Sequence, residues 1–110
     1  MARATLVLMH HSGFPSCVLA LDDIGLHEGR EASGELIAAH RGGPVRILSG
    51  HIHRPLQAVW HGCLCAIGGS PAFYVELRLE PDRTKPVIVH EPFRHFIHKV
   101  DSADDVTIHL

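Results

Sequence analysis

Short apolar runs separated by glycine, proline and charged residues divide this chain of 110 residues into two textures. In the first, Leu6, Val7, Leu8 and Met9 form a continuous run too short for a helix, which predicts a strand buried on both faces. Leu36, Ile37, Ala38 and Ala39 stand among polar residues between Glu31 and Arg41 and predict an amphipathic helix. Gly42, Gly43 and Pro44 supply its stop signal. Val45, Ile47 and Leu48 then predict a second buried strand, which Gly50 punctuates. Strand, helix and strand within residues 1–55 make one β-α-β unit with parallel strands. The second texture has apolar runs at 56–60, 63–67, 73–79 and 86–90, with turn signals at His61-Gly62, at Gly68-Gly69-Ser70-Pro71 and at Pro81-Asp82-Arg83-Thr84. Val75, Leu77 and Leu79 alternate with Glu76 and Arg78, so that run is expected to be half-buried. Residues 93–100 and 106–110 add edge strands. Residues 56–110 are thus expected to form an antiparallel meander. The whole is read as one α/β domain of α+β character over residues 1–110.

Composition narrows the function classes. One domain of this length buries roughly two-thirds of its unfolded surface. The net charge is −2 with histidines neutral, which gives no basic face for a nucleic acid polymer and no charged surface for a membrane. No apolar run approaches the ~20 residues of a membrane span, and the start is too short for a secretory signal. Three cysteines, an odd number, do not make a disulfide framework, so a reducing cytoplasm is expected. Cys63 and Cys65 share one strand face and are expected to pack as small hydrophobes; Trp60 is expected in the core or an interface. Eleven histidines and no asparagine are the two unusual facts. The histidines raise the expectation of metal binding.

The candidate chemistry gathers at strand ends. His10 and His11 follow the first strand, and Gly50-His51-Ile52-His53-Arg54 follows the second. In α/β folds ligands collect outside the carboxyl ends of strands. Two imidazoles one residue apart at such an end either serve two neighbouring ions or one, or are simply solvated. Arg54 is placed either to meet a phosphate or to make a structural ion pair. His90, His95, His98 and His109 are read as surface or edge histidines, and the Asp22-Asp23 pair as a turn or helix cap.

Three segments in order carry a family resemblance: His10-His11-Ser12-Gly13-Phe14-Pro15, then Asp23-Ile24-Gly25-Leu26, then Gly50-His51-Ile52-His53-Arg54-Pro55. The chain resembles the C-terminal half of the calcineurin-like metallophosphoesterases, in the branch of class III cyclic nucleotide phosphodiesterases and glycerophosphodiesterases. Ser12-Gly13 stands where that branch has Pro-Pro. The resemblance implies half of a four-layer sandwich and a dinuclear centre of Mn, Fe or Zn. It implies His10 and His51 as ligands of one metal and His53 as a ligand of the other, with His11 and Arg54 on the substrate side. The substrate implied is a small phosphodiester such as a cyclic nucleotide. The family's Asp-x-His, Gly-Asp and Asn-His motifs have no counterpart here, so weak or no hydrolysis is expected of these residues alone. The alternative is a non-catalytic, histidine-rich metal-binding or assembly module. Because one helix covers only one side of Leu6-Val7-Leu8 and Ile47-Leu48, a homo-oligomer is expected to cover the rest.

Overall fold

The computed structural model describes residues 4–22, 26–40, 46–80, 85–92, 95–102 and 105–109. Asp23, Ile24 and Gly25, the stop signal at Gly42, Gly43 and Pro44, Val45, the turn at Pro81 to Thr84, Phe93 and Leu110 lie outside the described residues. The elements are β1 (Leu6–Met9), α1 (Leu19–Asp22, a single turn), α2 (Arg30–Ala39), β2 (Arg46–Ser49), β3 (Leu56–Trp60), β4 (Cys63–Ile67), β5 (Tyr74–Val75), β6 (Ile88–Val89), β7 (Ile97–Ser102) and β8 (Asp105–His109). This is a mixed α/β architecture. A four-stranded sheet runs in the order β1-β2-β4-β3, and β5-β6 and β7-β8 form separate two-stranded ribbons.

The β-α-β unit forms as its pattern predicts: β1 pairs with β2 in parallel, Leu6 opposite Arg46 and Met9 opposite Ser49. The second half departs from a simple antiparallel meander. β3 and β4 form an antiparallel hairpin, but β4 also pairs in parallel with β2, Ile47 opposite Cys65. The burial of each strand explains its place. Four of the five β4 residues are buried, as an inner strand requires, whereas β3 alternates with Gln57 and Val59 exposed, as an edge strand allows. β1 lies at the other edge and is not buried on both faces: Leu6 and Leu8 are exposed. The half-buried strand expected over 73–79 shortens to Tyr74 and Val75. One more ladder bond follows, from Glu76 N–H to the Val87 carbonyl, and then Leu77 and Leu79 lie exposed because no described layer covers them.

One face of the four-stranded sheet carries the core. Val7, Met9, Ile47, Cys65, Ile67, Ala58 and Trp60 point to the same side by register, and Phe14, Val18, Leu21, Ile52 and Ile37 of α2 pack onto them. Ile47 and Ile67 are among the most deeply buried side chains; each such residue contributes roughly 1.5–3 kcal/mol by leaving water. Burial pushes the Cys65 thiol up to about 11, with the neighbouring Cys63 adding to it, and burial likewise raises Cys63. Both therefore stay protonated thiols at neutral pH and pack as small apolar groups. The buried Arg46 lies near enough to Cys63 and His98 to influence both; burial first, and the guanidinium second, lower the His98 pKa. Among the described residues no helix is long and apolar enough to cross a membrane.

The loop after β1 is built on Trp60. A Cβ at position 13 would run into the Trp60 ring, so only glycine lets the chain pass over the indole. The Ser12 hydroxyl donates to the Phe14 carbonyl at 3.1 Å and holds the turn from inside. A proline at position 13 and a buried Trp60 are therefore mutually exclusive in this packing, a physical reason for Ser12-Gly13. Gly13→Ala is expected to lower unfolding stability by about 1–3 kcal/mol through overpacking. Urea denaturation checks this; a change below ~0.5 kcal/mol, the ordinary surface range, would show that the indole yields freely.

Candidate metal centre

The centre is made by the loops that leave β1 and β2 side by side. The Gly50 N–H donates to the His10 carbonyl at 3.1 Å, so the parallel pairing continues one step past the strands. Ile52 then turns inward and is buried, with its N–H bonded to the Gly50 carbonyl at 2.8 Å. To reverse so sharply, His51 and His53 both adopt the left-handed backbone region, φ 69° and 56°. That region is uncommon for residues with a Cβ, and such strain costs on the order of 1–3 kcal/mol per residue. Burial of Ile52 and the bond from Val75 N–H to the His53 carbonyl at 3.2 Å oppose it.

The result brings three imidazoles together. His10 and His51 have ring centres 5.2 Å apart, His11 and His51 4.4 Å, and His10 and His11 4.7 Å. One nitrogen from each lies within 4.8 Å of the others. Tetrahedral zinc at Zn–N of ~2.0–2.1 Å needs ligand nitrogens ~3.3 Å apart, so the rings close in by up to ~1.5 Å to share one ion. His10 is exposed while His11 and His51 are half-buried, so the group opens to solvent on one side. The donors are all neutral imidazole, which suits Zn, Ni, Fe and Mn, and among the described residues no carboxylate joins the group.

His53 lies apart from this group. Its ring packs at a tilt against Phe73 with centres 4.4 Å apart, and its Nδ1 is buried without a hydrogen-bond partner among the described residues. The left-handed turn at each histidine, with Ile52 inward between them, separates the two rings. His11, expected on the substrate side, also stands within reach of the nitrogens of His10 and His51. The doublet His10-His11 was a signal for it: adjacent residues beyond a strand end are no longer held to opposite faces. Arg54 makes an ion pair. Its Nη1 donates to Glu91 at 3.0 Å and to the Val75 carbonyl at 3.2 Å. That pair edges a cavity of about 320 Å3 lined by Arg54, Pro55, Tyr74, Glu91 and Pro92, and only Arg54 of these was singled out by the sequence.

Asp22 has a bracing role. Its carboxylate accepts from the Ser16 N–H at 2.8 Å, the Ser16 hydroxyl at 2.7 Å and the Cys17 N–H at 3.1 Å. These bonds close the loop that follows the histidine doublet onto α1, and they let Cys17 hold φ 68°. Charged acceptors of this kind make the stronger class of hydrogen bond.

The geometry gives a direct expectation for zinc binding to the metal-free chain by calorimetry. His51→Ala should weaken binding at least tenfold, and His53→Ala should leave it within about twofold. The reverse ranking would move the ligand set onto His53.

No protein-family profile matches the chain. The chain is similar to a probable cyclic nucleotide phosphodiesterase of Rhodopseudomonas palustris, with 33% identity over 107 residues. The match covers 97% of this chain and 38% of that protein, so the chain spans well under half the length of the curated relative it matches.

Proposed function

We propose that these 110 residues carry part of the metal centre of a phosphodiesterase of the calcineurin-like kind, acting on a small phosphodiester such as a cyclic nucleotide. The observation that carries the reading is the convergence of His10, His11 and His51 at the ends of two parallel strands. The similarity to a probable cyclic nucleotide phosphodiesterase supports the choice of bond. A divalent cation, when bound, supplies Lewis acidity toward the phosphoryl oxygens and a hydroxide at neutral pH.

The residues themselves do two things in this reading. His10, His11 and His51 hold the cation through neutral nitrogens and leave its solvent side open for water and substrate. Arg54, fixed by Glu91 and the Val75 carbonyl, holds the substrate's outer part in place. Three neutral ligands bring no negative charge and no bridging oxygen, so they hold one cation. A second ion needs carboxylates from elsewhere. Hydrolysis by these residues alone is therefore slow.

The absence of a carboxylate from the group among the described residues favours a second reading, a metal-binding module without catalysis. Hydrolysis of bis(p-nitrophenyl) phosphate separates the two. With added Mn²⁺ or Zn²⁺ the chain should give slow turnover that a chelator abolishes and that His10→Ala reduces at least tenfold. Zinc binding with no turnover under any metal would leave the module reading. Turnover indifferent to chelator would remove the metal from the account.

A further inference from the structure

The cavity beside Arg54 has no part in holding the cation, and its walls are informative. Pro55, Pro92 and the buried Tyr74 give it apolar surfaces, while Arg54 and Glu91 place a donor next to an acceptor at its edge. Its volume of about 320 Å3 is at the small end of ligand pockets, roughly 300–1,000 Å3, and so fits a base or nucleoside. Arg54 follows His51 by three residues, so their Cα atoms are no more than about 11 Å apart. A nucleotide whose phosphate meets the histidines can reach this pocket with its base.

The charges decide what the pocket receives. A free arginine would suit a second phosphate, but the Glu91 carboxylate beside Arg54 neutralises it and repels an anion. A neutral group with adjacent donors and acceptors fits better. Among the described residues Arg54 uses Nη1 alone, toward Glu91 and Val75, and the Nε and Nη2 hydrogens of the fork are its further donors. Glu91 uses Oε2 toward Arg54, and its other carboxylate oxygen remains an acceptor. A carboxylate binds most strongly where two neighbouring N–H groups face it. Among the purines, guanine presents such a pair, N1–H and the 2-amino group, beside an O6 acceptor for the guanidinium. Adenine presents its 6-amino group and no second donor next to it on that edge.

Resting on the phosphodiesterase reading, we infer that the Arg54–Glu91 pocket is the base subsite and that it selects guanine over adenine. Arg54 donates to O6, Glu91 accepts from N1–H and the 2-amino group, and Pro55, Pro92 and Tyr74 cover the ring.

The test is calorimetry on the chain with chelator present, so that neither metal nor turnover enters. Guanosine 3′,5′-cyclic phosphate should bind about tenfold more tightly than its adenosine counterpart. Inosine, which lacks the 2-amino group, should bind several-fold more weakly than guanosine; this comparison needs no variant. Glu91→Gln, at a side chain partly open to solvent, should bring the guanine-to-adenine ratio close to one. Equal binding of the two cyclic nucleotides, equal binding of inosine and guanosine, or no binding of any of them would overturn the inference. Failure of the bis(p-nitrophenyl) phosphate assay would instead strike the hydrolytic reading and leave these affinities standing.

Discussion

The bond from the Gly50 N–H to the His10 carbonyl is the constraint on which the site depends. It extends the β1–β2 pairing into two loops that would otherwise diverge. Everything nearby is arranged to let that bond persist. Ile52 anchors one loop in the core, and Asp22 with Ser16 ties down the other. Phe14 and Gly13 seat the first loop on Trp60, whose own position is fixed by β3 opposite Cys63. A single apolar layer thus supports three polar side chains at its rim. The strain of two left-handed histidines is opposed by the packing of Ile52 below them.

The pattern of the chain revealed the strands that pack and missed how the inner ones pair. Continuous apolar runs located β1, β2, β3 and β4 to within a residue or so, because burial leaves a direct mark on composition. The place of β4 between β2 and β3 depends on long-range pairing, for which the sequence has only an indirect sign: Cys63, Cys65, Ala66 and Ile67 are apolar without alternation, while β3 alternates. Leu77 and Leu79 misled in the opposite sense. Their alternation describes a surface suited to burial, but no described layer covers it. The exposed Leu6, Leu8 and Val59 stand on the sheet face opposite the core for the same reason.

The candidate site was half legible. Gly50-His51 and His10 marked the strand ends at which the three imidazoles meet, since two parallel neighbours bring their exits together. The partition of the remaining histidines was hidden in backbone geometry. In an extended chain His51 and His53 would share a side, but left-handed turns at both send one ring to His11 and the other to Phe73. Glu91 was invisible because it meets Arg54 across 37 residues. Nothing local marks such a pair.

The central claim is that one cation is held by imidazoles from the ends of β1 and β2, and by none of the three cysteines. X-ray absorption at the zinc edge of the zinc-loaded chain reads this directly. The account predicts about three imidazole nitrogens at ~2.0–2.1 Å, with their outer-ring scattering visible and an oxygen completing the shell. A sulfur shell at ~2.3 Å would place the metal on the thiols, and a shell of oxygen alone would show that the three histidines do not bind it; either would contradict the account.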